Sequence, residues 1–248
     1  MRTQELAPAK INLALDILGR RADGYHELRM VMQTVSLCDV ITVEEGGTGF
    51  TLLTGEAFSL PADKVSMEQR AAEAFFAALG VPVPPLTVRL EKNIPAFAGL
   101  GGGSADVAAL LRCLRRLYAA GMPDEALRAI GLTVGSDVPF CVSGGTSLAE
   151  GRGERLTDLP PLPVCQIVLC KPDFGISTPE LFVLADGAVL SKRPDIAGLT
   201  AALQGGELTG VTDRLCNVFE EFLPERYQEV FRIKEILLAH GADGLRHF

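Results

Sequence analysis

Between Leu86 and Tyr118 the chain passes from a strand pattern through a glycine-rich loop into a helical pattern, and this order restricts its possible folds more than any other feature. Leu86 to Leu90 reads as a strand. It leads into Glu91-Lys92-Asn93-Ile94-Pro95-Ala96-Phe97-Ala98-Gly99-Leu100-Gly101-Gly102-Gly103-Ser104-Ala105-Asp106. Beyond that run Val107, Leu110, Leu111, Leu114, Leu117 and Tyr118 recur at helical spacing. Glycines let a backbone approach an anion and adopt positive φ, and a helix start offers unpaired N–H groups with the positive end of its dipole. The loop is therefore suited to cradling phosphates; a ligand-free flexible turn is the plainer reading of the same residues. It is not a Walker loop, which needs G-x-x-x-x-G-K-[ST], because Gly103 leads to Ser104-Ala105 without a lysine. Nor does it supply the G-x-G-x-x-G of a Rossmann fingerprint.

Strand and helix signals interleave along the rest of the chain. Ala9 to Leu18 reads as a strand ending in the turn-rich Gly19-Arg20-Arg21-Ala22-Asp23-Gly24. Leu28 to Leu37, Val40 to Glu44 and Phe50 to Leu53 are β-prone. Met67 to Leu79, rich in Ala, Glu and Leu, predicts a helix with Gly80 just past its end.

Composition narrows the function classes. A chain of 248 residues with 48% hydrophobic content buries one large core or two modest ones. A net charge of −8 opposes general binding to polyanions, so no nucleic-acid partner is expected. The opening Met1-Arg2-Thr3-Gln4-Glu5 lacks an apolar signal core, and no run approaches the roughly 18 apolar residues of a membrane span, so a cytoplasmic protein without a membrane partner is expected. The six cysteines lack a C-x-x-C pair and sit in apolar surroundings such as Val164 to Cys170, which reads as reduced core thiols. Three histidines give a zinc site little raw material.

Pro95 to Ala105 resembles the phosphate-binding motif of the GHMP kinases. Two further segments resemble the 4-diphosphocytidyl-methylerythritol kinases within that superfamily: Pro8-Ala9-Lys10-Ile11-Asn12-Leu13, and Gly19 to Leu28 with its Gly24-Tyr25-His26. Gly131-Leu132-Thr133-Val134-Gly135-Ser136-Asp137-Val138-Pro139-Phe140 resembles that family's catalytic aspartate segment, and Ala149 to Glu154 its downstream turn. The resemblance implies a two-domain α+β GHMP kinase fold. Residues 1–156 would form an ATP-binding domain like ribosomal protein S5 domain 2, and residues 157–248 an incomplete ferredoxin-like domain.

It also implies transfer of the ATP γ-phosphate to the 2-hydroxyl of 4-diphosphocytidyl-methylerythritol, with Mg²⁺, by a monomer or weak homodimer. Asp137 would accept the hydroxyl proton and Lys10 would orient it and offset negative charge; a turn residue before Pro139 and a solvated lysine are the plainer readings. Pro95, Ala96, Phe97, Ala98, Gly99, Leu100, Gly101, Gly102, Gly103, Ser104 and Ala105 would bind the nucleotide. Ser104 either caps the helix or faces phosphate and magnesium. Asn12, Tyr25, His26, Thr178 and Phe182 would bind substrate, with Tyr25 and Phe182 stacking on cytosine and His26 reading its edge. Core packing is the plainer role for Phe182, and Thr178 and Lys92 are equally readable as solvated residues.

Two departures from the family pattern carry expectations of their own. Asp63-Lys64-Val65 stands where an Asp-Asn pair is common, which would alter a contact near the nucleotide. The chain ends at Leu245-Arg246-His247-Phe248 where the family continues into a Gly-Ser-Gly motif, a strand and a helix. That ending leads one to expect an exposed sheet edge and a less enclosed site. Alternatives to the main reading are another GHMP kinase acting on homoserine or a mevalonate derivative, and an impaired protein that holds ATP without the absent glycine motif.

Overall fold

A computed structural model describes residues 1–55 and 65–244. The expectation attached to Asp63 and Lys64, and the last four residues, fall outside them. The elements follow the order β1 (Arg2–Arg20), β2 (His26–Glu45), β3 (Phe50–Thr54), α1 (Met67–Leu79), β4 (Leu86–Glu91), α2 (Gly102–Tyr118), α3 (Asp124–Leu132) and α4 (Val138–Ser143). Then come β5 (Thr146–Gly151), β6 (Arg155–Leu159), α5 (Thr178–Ala185), α6 (Ile196–Gly205), α7 (Leu208–Thr212), β7 (Cys216–Asn217) and α8 (Glu229–Ala239), with two 3₁₀ turns between β7 and α8. The expected α+β class is what the chain forms. It divides into two compact units.

The first unit comprises Met1–Lys10, Thr34–Pro95 and Gly101–Gly144. The later part of β2 pairs antiparallel with β4 from Val40↔Glu91 to Glu45↔Leu86, and β4 pairs parallel with β3. A parallel pair needs a crossover, and α1 supplies it. Along β4, Leu86, Val88 and Leu90 are buried while Arg89 and Glu91 are exposed, so one face of the ladder is core. Ala71, Ala72, Phe75 and Phe76 of α1 and Leu110, Leu111 and Leu114 of α2 supply the facing apolar stripes.

The second unit comprises Ile11–Gln33, Ala96–Leu100 and Gly145–Phe248. There the early part of β2 pairs antiparallel with β5 from Leu28↔Gly151 to Gln33↔Thr146, and β5 pairs with β6. On the other side β1 pairs parallel with β7 at Ala14↔Cys216 and Leu15↔Asn217. Leu181, Leu199, Leu203, Val211 and Phe219 form its helical core.

Two expectations need correction. The β-prone stretches 28–37 and 40–44 are one strand, because β2 changes partner from β5 to β4 without breaking. The stretch Val164 to Cys170 forms no regular element and leaves Val164, Val168 and Cys170 exposed. Pro160, Pro161, Pro163 and Pro172 flank it and cannot donate to a ladder, so its apolar composition finds no sheet. Of the six cysteines only Cys113 and Cys141 are core thiols, and burial pushes each up to about 12. Among the described residues no helix is long and apolar enough to cross a membrane.

Helix α1 starts and stops where its sequence says it should. Ser66 Oγ accepts the Gln69 N–H at 3.0 Å, and Gly80, at φ 71°, donates to the Ala77 carbonyl. Ser66→Ala is expected to lower the free energy of unfolding by about 1 kcal/mol, measured by urea denaturation with an unchanged m-value.

Candidate active site

In the first unit the site is built around the start of α2. Gly101 immediately precedes the helix at φ 68°, and having no side chain it caps nothing. Ala105 N–H bonds back to the Gly101 carbonyl at 2.8 Å, which leaves the N–H groups of Gly102, Gly103 and Ser104 directed out of the first turn. Gly101 also has no room for a side chain, since a Cβ there would lie 2.8 Å from Lys10 Cγ and 3.2 Å from its Cε. The stem of Lys10 rests on the loop. Ser104 lies inside the helix and so does not fill the capping role open to it in the sequence; the N-cap position is held by Gly101, which has no side chain to cap with. Its Oγ lies 3.7 Å from where a Gly135 side chain would begin.

Lys10 is 7% exposed, and its Nζ lies 3.6 Å from Asp137 Oδ2. Asp137 directly precedes α4, and its carboxylate caps none of the helix N–H groups. A partly accessible carboxylate that is not tied to its own helix keeps lone pairs for another partner. Helix α4 reaches this position by packing tightly on α3: a Cβ on Gly131 would meet Val138 Cγ1 at 2.5 Å. Two glycines thus bring Lys10, Asp137 and the α2 terminus together, one under the lysine and one under the helix that carries the aspartate.

Beneath the loop lies a charge cluster that the sequence reading missed. Asp39 is fully buried and accepts the N–H groups of Asn93 and Ile94, the latter at 2.8 Å. Lys92 donates to Asp39 and, at 2.7 Å, to Asp106 Oδ2. The signal for Asp39 was its parity: it shares a strand face with Ile41 and Val43, both fully buried. Burial pushes the Asp106 carboxyl up to about 8, with Lys92 opposing and the Asp39 charge reinforcing the rise. A protonated carboxyl suits the surroundings, since Asp106 Oδ1 is buried and has no hydrogen-bond partner.

In the second unit the hairpin turn between β1 and β2 presents Tyr25 and His26. Arg21 N–H donates to the Tyr25 carbonyl at 2.8 Å, and Gly24 takes φ 85° to complete the turn. Tyr25 is half exposed, with the Arg152 guanidinium 4.6 Å from its ring centroid. His26 stacks on Phe182 with centroids 4.7 Å apart and planes 16° from parallel, while its Nε2 lies 2.8 Å from Asp186 Oδ1. Phe182 also meets Phe219 edge-on at 5.2 Å. Phe182, expected to stack on cytosine, thus lies on α5 between His26 and Phe219. Thr178 opens α5 and is exposed. Asn12, on β1, is 4% exposed, and its Oδ1 is buried without a hydrogen-bond partner. Buried amide oxygens are rarely left unpaired. In the segment 96–100, Leu100 is buried, Gly99 takes φ 71°, and Phe97 combines φ 55° with 81% exposure.

Comparison with known proteins adds to this geometry. Residues 66–145 match the family model of the GHMP kinase N-terminal domain. The chain is 43% identical over 239 residues to 4-diphosphocytidyl-2-C-methyl-D-erythritol kinase of Pelotomaculum thermopropionicum, covering 96% of this chain and 83% of that protein. It is 40% identical over 245 residues to the enzyme of that name from Enterococcus faecalis, covering 98% and 86%. A crystal structure of 4-(cytidine 5'-diphospho)-2C-methyl-D-erythritol kinase superposes with a TM-score of 0.76 at 32% identity, covering 96% of this chain and 84% of that one. A homoserine kinase from Cytophaga hutchinsonii, at 17% identity and a TM-score of 0.69, shares the fold.

The Asp106 carboxyl carries a signed pH dependence. Its pKa in the folded chain is raised above the unfolded value, so its contribution to stability is complete below about pH 4 and is lost as pH rises through about 8. The carboxylates held below their usual range, such as Glu27 and Asp124, have finished titrating at the acidic end of that interval. Melting temperatures measured from pH 6 to 8.5 are expected to fall for the unaltered chain and to stay level for Asp106→Asn.

Proposed function

This chain belongs to the 4-diphosphocytidyl-2-C-methyl-D-erythritol kinase family of GHMP kinases, and from that premise we propose that it transfers the γ-phosphate of ATP to the 2-hydroxyl of 4-diphosphocytidyl-2-C-methyl-D-erythritol in the cytoplasmic, non-mevalonate supply of isoprenoid precursors. The observation that carries the reading is the ion pair at 3.6 Å between buried Lys10 and an uncapped Asp137, with Lys10 pressed on the glycine that opens α2.

Phosphoryl transfer asks a protein for positioning and charge stabilisation rather than covalent chemistry. The N–H groups of Gly102, Gly103 and Ser104 suit phosphate oxygens at a helix start. Pro95 and Ala105 of the same unit are further residues we assign to the nucleotide, and the family resemblance adds residues 96–100 to that assignment. Asp137, whose carboxylate is tied to no helix N–H group, takes the proton of the attacking hydroxyl. Lys10 holds that carboxylate in place and offsets the negative charge that gathers as the new bond forms.

The residues present fit a phosphate-bound Mg²⁺ in a limited way. Among the described residues no three His, Cys, Asp or Glu side chains converge on a metal position. Mg²⁺ keeps several waters and takes most of its protein contact through one or two oxygens plus substrate phosphates. Ser104 Oγ is the oxygen we assign to it. When bound, the ion supplies neutralisation of phosphate charge.

Recognition of the cytidine group falls to the second unit. Tyr25, with Arg152 on its ring, offers a flat surface on which a base stacks, and His26 offers a ring nitrogen to its edge. Phe182, one face of which stacks on His26, is the second ring we assign to the base, with Tyr25 as the first. Asn12 Oδ1 and Thr178 are the remaining polar contacts we assign to substrate.

Asp137→Asn removes the base while preserving shape, and is expected to lower kcat by about 10²–10⁴-fold with KM for ATP changed by less than about 3-fold. Steady-state ADP release with Mg-ATP and the cytidine substrate measures both. Turnover that persists in the variant, or that does not require the cytidine substrate, would overturn the assignment.

A further inference from the structure

The imidazole of His26 is held by a carboxylate that no sequence motif singled out. Asp186, the residue after α5, places Oδ1 at 2.8 Å from His26 Nε2, and its Oδ2 lies 3.2 Å from the Arg20 guanidinium. Phe182, one turn earlier on the same helix, covers a face of the imidazole. The ring is thus fixed in plane by α5 and along its edge by Asp186, and its side chain is only 10% exposed. Its other nitrogen, Nδ1, has no protein hydrogen-bond partner among the described residues.

We propose that Asp186 is a positioning residue that makes this site read cytosine in preference to uracil, by fixing which nitrogen of His26 carries the proton. A carboxylate can only accept at this distance, so the hydrogen between Asp186 and His26 sits on Nε2. In the neutral ring the other nitrogen is then an acceptor. Arg20 neutralises the carboxylate from its far side, so Asp186 holds the ring as a hydrogen-bond acceptor within an already paired group. An acceptor at Nδ1 matches the exocyclic amino group of cytosine, which donates, and opposes the carbonyl oxygen that uracil carries at the same position. The same contact without Asp186 is ambiguous: a histidine free to exchange tautomers offers Nδ1–H as readily, and would accept either base.

The inference rests on the kinase reading for the identity of the base, and it is tested without catalysis. Titration calorimetry with CDP and UDP, at a pH where the neutral imidazole is populated, is expected to show CDP bound more tightly by about 10-fold to 100-fold. In Asp186→Asn, whose amide can donate to Nε2 and so stabilise the opposite tautomer, that preference is expected to shrink by about 10-fold. Asp186→Glu, which retains a carboxylate, is expected to restore most of it. Nitrogen-15 NMR of the unaltered protein supplies a readout independent of any variant's folding. The His26 signal, identified by its absence in His26→Gln, is expected to show a protonated Nε2 and an unprotonated Nδ1. A doubly protonated ring, a protonated Nδ1, or a CDP to UDP ratio that Asp186→Asn leaves unchanged would each overturn the proposal. With the cytidine substrate, the loss in Asp186→Asn is expected in KM rather than kcat. Absence of turnover by the unaltered chain would instead count against the kinase reading, while CDP binding and the NMR tautomer would still decide the role of Asp186.

Discussion

A lysine ammonium taken out of water must be given a partner, and the pairing of Lys10 with Asp137 is the constraint around which the proposed catalytic part of the first unit is arranged. Removing either partner would leave a buried or half-buried charge alone, which is far more unfavourable than the modest gain of the pair itself. Satisfying it imposes conditions elsewhere. The lysine stem needs a floor, and Gly101 supplies it only by lacking a Cβ that would fall 2.8 Å from Lys10 Cγ. The aspartate must arrive at the start of α4 facing the same way, and α4 can lie that close to α3 only because Gly131 leaves space for Val138. These glycines serve close approach, whereas Gly80 serves a left-handed helix end, so identical residues answer different demands.

The glycine-rich loop to which we assign phosphate is secured by a second set of charges. Asp39 accepts the N–H groups at the loop's entrance, and Lys92 joins Asp39 to Asp106 on the first turns of α2. The entrance and exit of the loop are consequently tied to one buried cluster. A loop that must offer backbone N–H groups to phosphate gains from being fixed before the ligand arrives, because donors already in place need no reorganisation at the moment of reaction. The cluster also explains why Lys92, readable from sequence as a solvated lysine beside a groove, is committed to the protein instead.

How much of this was legible in the sequence follows from which interactions are local. The strand, glycine loop and helix between Leu86 and Tyr118 were readable because period and punctuation are local properties, and α1 was readable to its last residue because Gly80 marks it. Strand β2 was split in two by the same kind of reading, since a change of pairing partner at mid-strand leaves no trace in hydrophobic alternation. The buried role of Asp39 was written in its parity with Ile41 and Val43, yet a charge among apolar residues reads as an interruption until its partners are known. The Val164 to Cys170 run shows the converse, where apolar surroundings suggested core thiols and the flanking prolines withheld the ladder hydrogen bonds that would have buried the stretch in a sheet. The proximity of Lys10 and Asp137 came to the sequence only by resemblance, because nothing in either segment announces the other.

The second unit shows why aromatic residues alone underdetermine recognition. A stacking surface such as Tyr25 favours any planar base, because every base has a π face, and it yields affinity with little choice among bases. Choice requires a donor or acceptor whose sense is fixed, and a neutral histidine presents a ring nitrogen of either sense according to its tautomer. Its usefulness therefore depends on whatever holds its second nitrogen. Here that group is contributed by a residue distant in sequence, itself neutralised by Arg20, and the ring is immobilised by Phe182 from the same helix. The three contacts have separable effects: Phe182 restricts the ring's orientation, Asp186 sets its proton, and Arg20 keeps the carboxylate from standing as an uncompensated charge beside an anionic substrate. A site in which orientation, proton position and net charge are each assigned to a different side chain can discriminate one base from another by the sense of a single hydrogen bond.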